Sequence, residues 1–135
     1  MKLSTPSSTS NRYQVRIMIV DDVSQVRQDL HLLLDLSDEL LVVGDTGSGA
    51  EAIAKIASLH PDVVLMDLAM PEMDGYETAL QVKNHRPECR VIAFSIHGHP
   101  QARLRARQAG MDGFIEKGTP LEEIIKEIRR VWDNS

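Results

Sequence analysis

The sequence predicts an α/β fold: five parallel strands in one sheet, with helices on both faces. Three observations carry that prediction. Short apolar runs rich in Val and Ile alternate with segments of helical spacing. The connections between them are only a few residues long, which keeps consecutive elements adjacent. At 135 residues the chain has room for five such units in a single domain.

The elements follow in order. Residues 1–12 are polar, rich in Ser and Thr and interrupted by Pro6, and are expected to form a flexible N-terminal tail ahead of a domain over 13–135. Val15–Val20, Leu40–Val43, Val63–Met66, Arg90–Phe94 and Gly113–Ile115 read as buried strands. After the first strand, Val23, Val26, Leu30, Leu33 and Leu34 make the buried stripe of a helix, and Ile53, Ile56 and Ala57 make that of another. Gln101–Ala109 carries a thin stripe of Ala102, Leu104, Ala106 and Ala109 among three arginines. A helix held so thinly is either an ordinary edge helix or the mobile part of a switch. The last helix is the clearest: Leu121, Ile124, Ile125, Ile128, Val131 and Trp132 share one face behind Pro120. Strict alternation of this kind predicts a doubly wound, flavodoxin-like sheet of order 2-1-3-4-5. Ligands in such sheets bind at the carboxyl ends of the strands, where strand order reverses.

Composition narrows the function. A formal net charge of −5 argues against nucleic acid as the direct partner of this chain. The single cysteine, Cys89, has no internal disulfide partner and suits a reducing compartment, where it is expected to be a partly buried structural thiol. No apolar run approaches the roughly 20 residues of a membrane span, and the N-terminus lacks a signal-peptide core. A cytoplasmic protein is the expectation.

The chemistry sits at the predicted strand ends. Asp21 and Asp22 follow the first strand and Asp67 follows the third, which the proposed order makes its neighbour. Three carboxylates crowded at one partly desolvated edge repel one another, and a divalent cation relieves them. Carboxylates, a backbone carbonyl and water make the oxygen shell that Mg²⁺ prefers. Helix capping is the plainer reading of Asp21 or Asp22, but it does not account for Asp67, which precedes Leu68 and Ala69. Ser95 after the fourth strand and Lys117 after the fifth add a hydroxyl donor and a point positive charge, both suited to phosphoryl oxygens.

This pattern resembles the response-regulator receiver family over about Val15 to Trp132. The residues that carry the likeness are Asp21-Asp22, the stretch from Pro61 through Asp67 to Met70-Pro71 and Met73-Asp74-Gly75, then Ser95, Phe114 and Lys117. Val43-Gly44-Asp45, Ser95-Ile96-His97 and Lys117-Gly118 are similar to the NarL/FixJ branch, whose members usually carry a DNA-binding helix-turn-helix domain after a linker and regulate transcription. The resemblance implies that Asp67 accepts a phosphoryl group from a phosphohistidine on a sensor histidine kinase or phosphotransfer protein. It implies direct Mg²⁺ ligands in Asp22, Asp67 and the Ala69 backbone carbonyl, with Asp21 assisting. Lys117 and Ser95 would contact phosphoryl oxygens. Ser95 and Phe114 would form a switch that alters the face of the fourth helix, fifth strand and fifth helix, a surface also used for homodimers. The protein would assist its own phosphorylation and dephosphorylation without being a conventional enzyme, as a stand-alone or an excised receiver.

Two departures from the wider family stand out. Gly118 replaces the proline that commonly follows the active-site lysine, and Ile96 is bulky where a small residue is frequent, which predicts a narrowed path to Asp67. Rival readings are weaker. Gly47-Ser48-Gly49-Ala50-Glu51-Ala52 has the form of a dinucleotide fingerprint, with Asp67 about 20 residues on. No other feature supports a nicotinamide site, so a tight turn into a helix is the expectation. A phosphohydrolase of the haloacid dehalogenase type would favour a second Asp where Ala69 stands. A degenerate, docking-only receiver would not keep all five chemical positions filled. His97 and His99 lack nearby ligand partners and read as solvated loop residues.

Overall fold

The computed structural model describes residues 13–133. The expected tail, residues 1–12, lies outside them. Ten elements alternate: β1 (Val15–Val20), α1 (Ser24–Leu34), β2 (Leu40–Thr46), α2 (Gly49–Leu59), β3 (Val63–Met66), α3 (Gly75–His85), β4 (Arg90–Ser95), α4 (Pro100–Gln108), β5 (Gly113–Glu116) and α5 (Leu121–Asp133). All strand pairs are parallel, in the order β2-β1-β3-β4-β5. This is the doubly wound, flavodoxin-like arrangement that the sequence predicts.

Side chains alternate across the strands and build one core on each face of the sheet. Met18, Val20, Val64, Met66, Val91 and Ala93 face α2, α3 and α4, where Ile56, Ala79, Val82 and Ala106 cover them. Ile17, Ile19, Val63, Leu65, Ile92 and Phe94 face α1 and α5, under Leu30, Leu34, Ile124 and Ile128. Burial on both sides explains why the central strands read as continuous apolar runs.

Several boundaries and burials differ from expectation. β2 runs on to Thr46, because the register shifts between Ile17 and Met18 and lets Gly44, Asp45 and Thr46 pair with the end of β1. β4 includes Ser95 and β5 includes Glu116. α4 begins at Pro100 and ends at Gln108, since the His99 ring accepts from the Ala102 N–H at 3.1 Å and caps it. Val23 is the residue before α1 and is 48% exposed rather than buried. Ala57 is exposed and Ala52 takes its place in the core; Leu104 is exposed as well. Cys89 is fully within the core, and burial pushes its thiol pKa up to about 12.

α3 has no stripe singled out by periodicity. It announces itself by its start: Asp74 accepts from the Glu77 N–H at 2.9 Å, an acid-capped first turn. Gly75 is required there for space, because a Cβ would stand 2.1 Å from the Asp67 carbonyl oxygen and 2.8 Å from Leu68 Cα. The Met-Asp-Gly segment thus presses the start of α3 against the backbone that carries Asp67.

Candidate functional site

Backbone pairing brings the chemical residues together. Val20 is in register with Met66, so the next residues, Asp21 and Asp67, leave neighbouring strands at the same level. The Asp67 N–H donates to the Val20 carbonyl at 2.8 Å, and the Asp21 N–H to the Thr46 carbonyl at 3.0 Å. On the other side, the Lys117 N–H donates to the Ser95 carbonyl at 2.8 Å, which ties the two outer strand ends together.

Asp21 is 0% and Asp67 5% exposed, whereas Asp22 is exposed. One oxygen from each of the three lies within 4.8 Å of the others, a spacing able to hold a cation. Lys117 Nζ stands 2.8 Å from Asp21 Oδ2 and 3.5 Å from Asp67 Oδ1. Asp21 Oδ1 accepts from the Val23 N–H at 2.9 Å, and the buried Oδ2 is held by the Lys117 ammonium alone. Three carboxylates with only one ammonium between them, offering oxygen donors alone, fit a hard divalent cation such as Mg²⁺.

The electrostatics follow from that crowding. Burial first, then the charge of Asp21, raises the Asp67 pKa to about 6; Lys117 and the Ala69 N–H, 3.3 Å from Asp67 Oδ1, offset only part. Burial pulls the Lys117 pKa down, but Asp21 and Asp67 outweigh it and hold the ammonium above its ordinary value. A pair of buried acids and one lysine leaves the site short of positive charge.

Ser95 is buried, and its hydroxyl accepts from the His97 N–H at 3.1 Å. Phe114 is half-buried against the α2–α4 core, with the Arg103 guanidinium 4.5 Å above its ring centroid. Arg103 also donates to the Gly98 carbonyl at 2.8 Å and meets Glu116 at 3.2 Å. The sequence reading missed this arginine; its place one helical turn after the loop of Ser95 was the available signal. Ala69 stands exposed at the rim. Ile96 is 67% exposed and so projects into solvent rather than wedging into the site. Gly118 adopts φ +94° in a turn closed by Thr119, whose N–H and hydroxyl both reach the Glu116 carbonyl.

The glycine-rich loop serves packing. Ser48 caps α2 by accepting from the Glu51 N–H, and Thr46 Oγ1 donates to the Glu51 carboxylate at 2.8 Å, placing an acid where a dinucleotide would need its pyrophosphate. His97 and His99 are exposed, their ring centroids 6.2 Å apart. Among the described residues no helix is long and apolar enough to cross a membrane.

Comparison with known proteins agrees with this geometry. Residues 17–129 match the family described as the response regulator receiver domain. The response regulator protein VraR of Staphylococcus aureus is 36% identical over 116 residues, which are 86% of this chain and 56% of VraR. The chain therefore spans about half the length of that relative. The signal receiver domain of NarL from Mycobacterium tuberculosis superposes with a TM-score of 0.84 at 33% identity, covering 91% of this chain and 99% of that one. A LuxR-family two-component response regulator from Aurantimonas gives a TM-score of 0.85 at 27% identity, covering 90% and 86%. With the fold, the strand-end acids and these likenesses in agreement, the chain belongs to the response regulator receiver family, on the NarL/FixJ side of it.

Proposed function

We propose that Asp67 is the phosphoacceptor of this receiver. The observation that carries the reading is the Lys117 ammonium shared between Asp21 and Asp67, with a third carboxylate inside 4.8 Å. An Asp67 carboxylate oxygen attacks the phosphorus of a phosphohistidine on a sensor histidine kinase or phosphotransfer protein. The new P–O bond forms as the P–N bond breaks, and the imidazole leaves with the electron pair and takes a proton. Asp67 with a pKa of about 6 is mostly ionised at neutral pH and so able to attack. Asp22, Asp67 and the Ala69 carbonyl would hold Mg²⁺, with Asp21 assisting. Mg²⁺, when bound, supplies the positive charge that draws the phosphoryl oxygens in. Lys117 swings from Asp21 to a phosphoryl oxygen.

The switch runs through Ser95 and Phe114. A phosphoryl group adds about −1.5 to −2 charges and new acceptors. Ser95 exchanges its bond with His97 for one to a phosphoryl oxygen, the β4–α4 loop moves inward, and Phe114 turns into the space vacated. The α4–β5–α5 face then changes its preference for a partner, including a second copy of the chain. The receiver is not a conventional enzyme in this reading; it assists its own phosphorylation and the hydrolysis that ends it. The setting is a cytoplasmic transcription regulator whose DNA contacts are made by a separate domain of a longer protein.

Incubation with acetyl phosphate and Mg²⁺, followed by intact mass measurement, tests the assignment. The parent should gain one phosphoryl group that is labile to base, and Asp67→Asn should gain none. Full labelling of that variant at another residue would sink it.

A further inference from the structure

Arg27 belongs to none of the residues assigned above, yet two of its contacts reach the acidic turn. From the end of the first turn of α1, its Nη1 donates to the Asp21 carbonyl at 2.7 Å. Its Nε meets Asp45 Oδ1 in β2 at 3.1 Å. The guanidinium is clamped between β2 and the peptide that joins Asp21 to Asp22. Gly47 supplies an independent observation. A Cβ there would stand 2.8 Å from Arg27 Nη1, 3.4 Å from the Asp21 carbonyl oxygen and 3.5 Å from Asp22 Cα. The backbone atoms stand at ordinary contact distance, so what a Cβ here would displace is the tip of the arginine.

Asp21 is fastened at its N–H by Thr46, at its carboxylate by Val23 and at its carbonyl by Arg27. Asp22 is exposed and so lacks packing to place its carboxylate, which leaves the peptide before it as the part of the turn that is fixed. We propose that Arg27 is a positioning residue: by fixing the Asp21–Asp22 peptide it aims the Asp22 carboxylate at the cation site, while Asp45 holds the arginine and Gly47 leaves it space. The inference rests on the reading of Asp22 and Asp67 as Mg²⁺ ligands. Arginine suits the task because its planar fork serves a carbonyl and a carboxylate at once, which a lysine ammonium cannot do with the same geometry. Pairing with Asp45 also offsets the arginine's charge, which would otherwise repel a nearby divalent cation.

Calorimetric titration of the full chain with Mg²⁺ tests this on Arg27→Ala, Arg27→Lys, Gly47→Ala and, as a control, Arg129→Ala, which breaks an ion pair to Glu39 at the opposite end of the sheet. Melting curves of each variant establish that it is folded at the titration temperature. Arg27→Ala and Gly47→Ala should weaken Mg²⁺ binding on the order of tenfold, the size of one charge-assisted hydrogen bond. Arg27→Lys should fall between, and Arg129→Ala should match the parent. Because the defect is in cation affinity, excess Mg²⁺ should restore the labelling rate with acetyl phosphate. Gly47→Ala is the sharper arm, since it keeps every charge, and with Arg27→Lys it decides the matter if Arg27→Ala fails to fold. Parent-like Mg²⁺ affinity in Gly47→Ala and in a folded Arg27 variant overturns the role of Arg27 alone, as does equal weakening in Arg129→Ala. A parent that binds no Mg²⁺ overturns the ligand set and this inference with it.

Discussion

Asp67 is costly to the fold that carries it. Burial and the neighbouring Asp21 raise its pKa to about 6, against an ordinary value near 4 in the unfolded chain. The folded state thus prefers the protonated form. Stability from this group is fully present below the unfolded value and is lost as pH rises through about 6. Asp67→Asn mimics the neutral form, so in Mg²⁺-free buffer it should be the more stable protein at pH 7, by roughly 1–2 kcal/mol. The gain should shrink as pH falls from 6 toward 4. Urea unfolding at a series of pH values checks this, and a gain that is equal at pH 4 and pH 7 would show that ionisation is not its source. The phosphoacceptor role proposed for Asp67 requires a charged, reactive carboxylate, and the same desolvation that destabilises it leaves it few competing hydrogen bonds.

At the scale of elements, α4 and α5 contrast in how they are held. α5 buries Ile124, Ile128 and Val131, each worth about 1.5–3 kcal/mol when removed from water. α4 buries only Ala102 and Ala106 along its length, so its polar ties matter more. Arg103 supplies them, to Gly98, Glu116 and the Phe114 ring. An exposed ion pair and a cation–π contact together amount to about 1 kcal/mol. Arg103→Ala should accordingly speed amide exchange in α4 about fivefold and leave α5 unchanged. Equal protection of α4 in both proteins would show that the alanines suffice. The sequence made this contrast visible, since α5's stripe is wide and α4's is broken by three arginines. It also placed every strand, because Val and Ile runs buried on both faces leave little ambiguity. What it could not show was the fold's use of backbone approach. The bulge that lengthens β2, the closeness of Gly75 to the Asp67 carbonyl and the space Gly47 leaves for Arg27 all depend on residues distant in sequence. Strand-end position was enough to predict that Asp21, Asp22, Asp67, Ser95 and Lys117 share one edge of the sheet, whereas Arg103 and Arg27 reach that edge from helices and leave no strand-end mark.

Across the whole molecule, the sheet converts sequence order into an edge where three acids and one lysine meet, and the fold bears the resulting excess of negative charge. Two packed cores compensate, with Leu34, Ile56, Leu65, Ile92 and Ile128 at 2% exposure or less. A ligand that neutralises the edge should therefore stabilise the entire domain, because it binds the folded state and has no assembled site in the unfolded one. Under the proposed function, beryllofluoride with Mg²⁺ is such a ligand, a mimic of the phosphoryl group on Asp67. At about a hundredfold excess over its dissociation constant such a ligand contributes about 2.7 kcal/mol, which for a domain of this size raises Tm on the order of 10 °C. Asp67→Asn should show almost none of that rise, since the mimic lacks its anchoring carboxylate. Ser95→Ala should keep most of it, because Asp67, Lys117 and the other acids remain, while losing most of the amide shift changes in α4 and α5 that the parent displays. The two measurements separate binding from signalling. A variant stabilised like the parent and showing the same shifts would mean that Ser95 does not link the site to the α4–β5–α5 face, and the coupling would have to run through Lys117 and the turn at Gly118 and Thr119 instead.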